Sequence, residues 1–254
     1  MTLTHVTPCG YILHTAKDYV IIATLESANT KTGNMVQVWI LCRHLKPTEA
    51  LKHGFNRVVC LGCGLQGDET GSGRVCYVNL GHGPRAVFEG YERGIYPQLK
   101  PSQYARVFSG REIRFGAYGE PVLIPRRIVR ALVAVATANT GYTHAWREPQ
   151  YQEYREYIMA SCDSPADVLD ARAMGWRTFR ARTQEQPLMA GEIMCPASTE
   201  FKDAHGYKLQ CIDCTLCDGA RHGASDPRAD IGIVVHGSGS KNFVSVDSIA
   251  AAAA

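Results

Sequence analysis

Seven of the ten cysteines in this 254-residue chain fall into two groups: Cys60, Cys63 and Cys76 in the first third, and Cys195, Cys211, Cys214 and Cys217 near the end. Thiolates are ligands of soft metals, and Cys-x-x-Cys spacing lets one short segment present two of them to one centre. Four thiolates close a site, whereas three leave a position for a ligand that the protein does not supply. The three-plus-four division therefore points to one open centre, where chemistry is expected, and one closed centre. Cys9, Cys42 and Cys162 stand apart and read as small packed hydrophobes.

The later group runs Cys195-Pro196, then, after fifteen intervening residues, Cys211-Ile212-Asp213-Cys214-Thr215-Leu216-Cys217. Two successive x-x spacings wrap three thiolates around neighbouring corners of an iron–sulfur cluster. Zinc uses the same spacing, and His205 and His222 lie close by as spare ligands, so [4Fe-4S] and zinc both stay open. In the first group, Cys60-Leu61-Gly62-Cys63 is followed by a glycine-rich loop through Asp68, Gly71 and Gly73 to Cys76-Tyr77, and its glycines permit the loop to fold back on the pair. Alternatively, Cys60 and Cys63 join part of the second group in one zinc knuckle.

Positioning these residues requires elements that converge. Short apolar strands are expected near residues 57–60, 112–116, 141–146, 157–162, 176–182, 192–195 and 231–236, alternating with helical or loop segments in the manner of a parallel α/β fold. Residues 125–139 read as a crossover helix with Ile128, Leu132 and Val135 at helical spacing, and 165–174 as another, capped by Ser164 and ended by Gly175. Residues 19–25 and 35–42 flank Asn29-Thr30-Lys31-Thr32-Gly33-Asn34 as a β-hairpin, and residues 47–53 suggest a short helix. Polar residues follow the strands: Gly119-Glu120-Pro121, Thr143-His144, Ser161 with Asp163, Arg180 with Arg182, and His236-Gly237. In a barrel of parallel strands such ends share one face. The fold class expected is α/β, a partial parallel (β/α) barrel over residues 51–246, with an N-terminal β extension over 1–50, a cysteine-rich C-terminal metal-binding segment and an uninformative alanine tail over 247–254.

Composition sets the outer limits. With 45% hydrophobic and 20% charged residues the chain is an ordinary folded protein, and a formal charge of +3 is compatible with a nucleotide or nucleic acid without requiring one. The longest apolar run, residues 131–138, is too short to span a bilayer, and the beginning carries no signal-peptide pattern, so a cytoplasmic setting is expected. In that reducing compartment ten cysteines favour metal ligation over disulfides.

From Cys60 to His236 the motif order resembles the radical S-adenosylmethionine superfamily, whose partial barrel holds a three-cysteine [4Fe-4S] cluster after its first strand. The segment from Arg111 to Pro121, ending Gly119-Glu120-Pro121, resembles that family's Gly-Glu-Pro strand end, which contacts the methionine amino group. Ala160-Ser161-Cys162-Asp163-Ser164-Pro165 is similar to the strand whose Ser and Asp approach the ribose. The family's usual three-residue then two-residue cysteine spacing is replaced here by two and then twelve. The resemblance implies S-adenosylmethionine as cofactor, bound by Gly119, Glu120, Ser161, Asp163, Arg180 or Arg182, and His236. It makes Glu120, His144 and Asp163 the candidate catalytic residues and the seven clustered cysteines the metal ligands. Asn29-Thr30-Lys31-Thr32-Gly33, residues 142–146 and residues 175–179 also resemble an uncharacterised cysteine-rich family of bacteriophages. That likeness suggests action on a nucleotide or nucleic acid in a host cytoplasm.

The competing class is a non-enzymatic nucleic-acid-binding protein with structural zinc, using Arg111, Arg114, Arg126, Arg127, Arg177, Arg180 and Arg182 on phosphates and Tyr142, Trp146 and Trp176 on bases. A hydrolase finds no Gly-x-Ser-x-Gly, Walker or His-Glu-x-x-His motif. Residues 237–241, Gly-Ser-Gly-Ser-Lys, are as well explained by a flexible loop as by a phosphate cradle.

Overall fold

The computed structural model describes residues 8–68, 72–223, 226–237 and 239–243. Gly71, Ser238 and the alanine tail lie outside the described residues. The β-branched runs build two five-stranded sheets. In the first, β1 (Gly10–Thr15), β2 (Tyr19–Thr24) and β3 (Val36–Cys42) form an antiparallel meander. β3 then pairs in parallel with β4 (Glu112–Tyr118), and β4 with β5 (Ala138–Thr140). The second sheet is parallel throughout, built from β6 (Tyr142–Thr143), β7 (Met159–Cys162), β8 (Thr178–Arg182), β9 (Glu192–Met194) and β10 (Asp230–Val234). There β10 sits between β8 and β9.

Only Gly141 separates β5 from β6, so the parallel order runs on from one sheet to the other. A side chain there would put its Cβ 2.7 Å from Ile158 Cγ2 and 3.1 Å from Phe115 Cβ, which is why the junction is glycine. The main core packs Val20, Ile22, Val38, Ile40, Ile113 and Phe115 against Leu132, Trp146 and Val168, all buried. Each such aliphatic side chain contributes about 1.5–3 kcal/mol on leaving water. A second, smaller core gathers Met159, Ile231 and Ile233 around Cys195, with Cys211 and Cys217 against it.

The connecting helices are short. α1 (Pro47–Lys52) starts with proline as expected, and α2 is a single turn, Arg57–Cys60. This corrects the strand expected at 57–60: Val58 and Val59 favour a strand locally, but four residues cannot decide between the two, and packing against the sheet makes them helical. α3 (Gly83–Glu92) and α4 (Tyr104–Phe108) fill the stretch before β4, where the sequence indicated no element. α5 (Arg126–Val133) buries Ile128, Val129 and Leu132, and stops short of the expected residue 139 because Ala138–Thr140 is taken into the sheet by β4. α6 (Pro165–Ala173) has Ser164 Oγ accepting from Asp167 N at 3.1 Å, the cap the sequence specified. α7 (Thr199–His205) and the single turn α8 (Cys211–Cys214) are the last α-helices among the described residues and precede β10. Among the described residues, no helix is long and apolar enough to cross a membrane.

Candidate metal centres

The first cysteine group is assembled by three backbone contacts. Glu120 N donates to Val59 O at 2.7 Å and staples the Gly-Glu-Pro turn onto the end of α2, beside Cys60. Gly119, at φ +81°, makes that approach possible, since a Cβ would lie 2.7 Å from Ile40 O and 3.2 Å from Val59 O. Cys63 N donates to Cys60 O at 3.1 Å across Leu61, which has φ +49° although it carries a side chain. Cys76 N donates to Leu65 O at 2.8 Å, closing the glycine-rich loop back on the pair. Gln66 is buried there and locks the turn through Asn56 at 2.8 Å and Leu61 O at 2.8 Å.

Burial pushes the Cys60 thiol up, with the neighbouring Cys63 and Cys76 adding to it, while the Tyr118 hydroxyl donates to its sulfur and opposes the shift. Burial likewise raises Cys76, against the nearby Arg74 guanidinium. Buried thiols that repel one another as thiolates are stable as ligands only when a cation joins them. Glu120, 5% exposed, accepts from Thr143 Oγ1 at 2.5 Å and from His144 N at 3.2 Å. The His144 ring reaches both Glu120 and Asp163 at 3.5 Å and touches Cys63. Burial opposes its protonation, but the Cys63 thiolate and these two carboxylates outweigh burial and hold His144 well above the usual histidine range.

The second group is built on residues far upstream. Cys211 N donates to Lys31 O at 2.9 Å, Ile212 N to Thr32 O at 3.1 Å and Gln210 Nε2 to Thr30 O at 2.9 Å, so the loop at 29–33 holds the start of α8. Cys195 N donates to Gly232 O, and Gly141 N donates to Cys217 O, each at 2.9 Å. Thr215, between Cys214 and Cys217, has φ +49°, so both non-glycine residues with positive φ among the described ones sit inside cysteine motifs. All four sulfur-bearing residues line one small pocket. Burial, then Cys195, Cys211 and Cys214, push the Cys217 thiol well up.

Spacing separates the metals that would fit. Among the described residues, one set of three ligating side chains has all its donor atoms within 4.8 Å of one another, Cys63, Glu120 and His144, and no trio of cysteines meets that limit. A single zinc, with Zn–S bonds of about 2.3 Å in a tetrahedron, draws its sulfurs to about 3.8 Å apart. Thiolates on a [4Fe-4S] cube stand much farther apart, because two irons and their bridging sulfides lie between them. Among the described residues, neither cysteine group is drawn together as closely as a single zinc would hold it.

A cavity of about 270 Å³ is lined by Trp39 of β3, Arg114 of β4, Tyr142 of β6, Ser161 of β7, Phe179 of β8 and Ile233 of β10. His144 faces it from the first centre and Cys211 from the second. Lys31 also lines it, with Nζ 3.0 Å from His236 Nε2.

Of the residues expected to bind a cofactor, Ser161 and His236 line this cavity, and Glu120 and Asp163 sit at its edge around His144. Gly119 does not face it, being packed on Ile40. Arg180 and Arg182 require correction: alternation along β8 turns Phe179 and Ala181 into the cavity and both arginines away from it. Arg180 forms a buried fork with Glu192 at 2.8 and 2.7 Å, and Arg182 pairs with Glu200. Of the residues expected to meet nucleic acid, Arg114, Arg177, Arg180, Arg182, Trp146 and Trp176 are buried, whereas Arg111, Arg126, Arg127 and Tyr142 are not. Lys31 and Tyr77 are cavity residues that the sequence reading gave no role, and their position next to a glycine-bearing loop and a cysteine is the only signal that marks them. Compared with known proteins, the chain matches no family model, no curated protein and no solved structure, and its site stands on its own geometry.

Proposed function

We propose that this protein is an iron–sulfur enzyme of the radical S-adenosylmethionine type, with a three-thiolate cluster at Cys60, Cys63 and Cys76 and a four-thiolate cluster at Cys195, Cys211, Cys214 and Cys217. The observation that carries the reading is the gathering of the seven cysteines into two groups, one reaching the cavity through His144 and the other through Cys211, with no three cysteines as close as a single zinc would draw them. A partial barrel is supported by the parallel order that continues past Gly141 and by the strands β3, β4, β6, β7, β8 and β10 each lending a residue to the same cavity.

On this reading the cluster and S-adenosylmethionine together supply reductive cleavage of a carbon–sulfur bond, with methionine and 5′-deoxyadenosine as end products. The chain's own residues position and shield. Glu120, fixed by Thr143 and His144, holds the open side of the first centre in register with the cavity. His144, bracketed by Glu120 and Asp163, places an ionisable ring between that centre and the occupant. The apolar wall of Trp39, Phe179 and Ile233 excludes water from the space where a reactive species would form. The second cluster serves electron relay or substrate ligation.

Anaerobic purification tests this directly. The protein should be brown and carry about eight iron atoms with matching sulfide per chain. Cys63→Ala should remove about half of the iron and Cys214→Ala the other half. Reduction with S-adenosylmethionine present should release 5′-deoxyadenosine, and Cys63→Ala should abolish it. A second reading rests on Cys63, Glu120 and His144 lying within 4.8 Å of one another, which suits one zinc ion at a mononuclear site. A colourless protein with zinc and no sulfide would establish that reading and end the first.

A further inference from the structure

Three of the four buried arginines among the described residues are matched with carboxylates: Arg177 with Asp218, Arg180 with Glu192 and Arg182 with Glu200. Arg114 is the exception. It is 5% exposed, and its guanidinium donates from Nη1 to the Tyr142 hydroxyl at 2.8 Å and from Nη2 to the Tyr77 hydroxyl at 2.6 Å, two neutral partners. Lys31, half-buried on the same cavity, has its Nζ 3.0 Å from His236 Nε2, and the groups that favour its charge are Cys195, Cys211 and Cys217 of the second centre. Among the described residues neither cation has a carboxylate partner. Arg114 is withdrawn from water and Lys31 reaches the same wall; both keep spare donors there with the second centre's thiols and no carboxylate beside them, so an anion entering the cavity would be favoured.

The remaining walls say what kind of anion. Tyr142 stacks on Phe179 with ring centroids 4.2 Å apart and planes 19° apart, and Tyr77 stacks on His236 at 5.9 Å and 25°. These rings and that of Trp39 line the cavity beside the two cations, with the Arg114 guanidinium 4.9 Å over the Tyr142 ring. At about 270 Å³ the cavity lies at the small end of ligand pockets, so its occupant is a small molecule and not a polymer strand. We infer that this cavity binds a small organic anion, a carboxylate or a phosphate ester attached to a flat unsaturated ring, with the charge held by Lys31 and Arg114 and the ring against the aromatic walls. The inference rests on the proposed function only in making that anion the substrate; its binding needs no chemistry at either centre.

The test uses the full chain, purified without oxygen, and measures binding by calorimetry with benzoate, phenyl phosphate and the neutral isostere benzamide. At least one of the two anions should bind, with benzamide about tenfold weaker or worse, and the stronger of the two identifies carboxylate or phosphate as the natural headgroup. Arg114→Gln and Lys31→Gln should each weaken the anion by about ten- to a hundredfold, as expected for loss of a charge-assisted hydrogen bond, with iron content unchanged. If Arg114→Gln fails to fold, Lys31→Gln on its surface-reaching loop decides the matter. Equal binding of benzamide and the anions, no binding of any probe at millimolar concentration, or variants with unaltered affinity would overturn the inference. So would variants that lose iron from the second centre while anion affinity is kept, for then the cations are counter-charges to that cluster. A protein without iron that still selects anions would refute the cluster reading and leave this one standing.

Discussion

Arg177→Met separates the scaffold of the second centre from its ligands. Arg177 is 3% exposed and donates to Leu216 O at 2.8 Å, Gly219 O at 3.2 Å, Asp218 Oδ1 at 3.1 Å and Ala229 O at 2.6 Å. Methionine keeps most of the volume and removes all the donors. Asp218 would retain Arg228 at 2.8 Å and Arg221 at 2.9 Å, and Gly219 O would retain Arg228 Nη2 at 2.9 Å. Leu216 O and Ala229 O would be left without this donor, at about 1–3 kcal/mol each, so the variant should lose about 2–6 kcal/mol of stability. At about 2–4 °C per kcal/mol for a chain of this size, the melting temperature should fall by roughly 4–24 °C. Leu216 precedes Cys217, so on the proposed two-cluster reading iron and sulfide should drop by about half, with any 5′-deoxyadenosine formation at the first centre retained in the surviving fold. Denaturant titration and iron analysis of the same preparation provide both numbers. A variant with full iron and stability within about 1 kcal/mol of the parent would refute the claim that this buried guanidinium holds the Cys217 segment.

Gly119→Ala should remove iron from the first centre while sparing the second, because φ +81° and a Cβ 2.7 Å from Ile40 O break the staple between Glu120 N and Val59 O; iron counted against the Cys63→Ala variant checks it. Arg180→Met should cost about 3–5 kcal/mol by leaving Glu192 charged and buried, and Arg180→Met with Glu192→Leu should recover most of that in a denaturant titration. Since Arg180 faces away from the cavity, the double variant should keep its 5′-deoxyadenosine yield. Burial pushes the Cys42 thiol up to about 11, so in the native protein it should resist iodoacetamide at pH 8 and react only as the pH approaches that value or the chain unfolds, which peptide mapping after labelling reads out.

The chemistry-bearing residues were legible because cysteine spacing is a local signal: Cys60 with Cys63, and Cys211 with Cys214 and Cys217, are read within a few residues of each other. Strand positions at 112–116, 157–162, 176–182 and 231–236 were legible for the same reason. Which face of a strand looks inward was not. In β8 both faces are covered, so Phe179 and Ala181 cannot be told from Arg180 and Arg182 by alternation alone, and the partners that claim the arginines, Glu192 and Glu200, lie 12 and 18 residues further on. The same limit explains the turn at 57–60, whose helical state depends on contacts with β3 and the Glu120 turn. It also explains the overlong helix at 125–139, whose end is claimed by β4 through Glu112 and Ala138.

The loop at 29–33 connects what the sequence presents as separate parts. A single helical turn such as α8 cannot form on its own, because nucleation costs more than one hydrogen bond returns. Its first N–H groups are satisfied by Lys31 O and Thr32 O, and Gly33, at φ +69°, lets Ile212 approach to where a Cβ would be 2.7 Å from Ile212 Cγ2. The backbone that orders Cys211 and Cys214 therefore comes from the hairpin between β2 and β3. The side chain of the same Lys31 enters the cavity beside His236. An anion drawn to Lys31 would thus tighten the loop that presents Cys211 and Cys214, and a metal bound there, as proposed, would fix the lysine that receives the anion. That reciprocity follows from one residue having its carbonyl on the centre and its ammonium on the cavity.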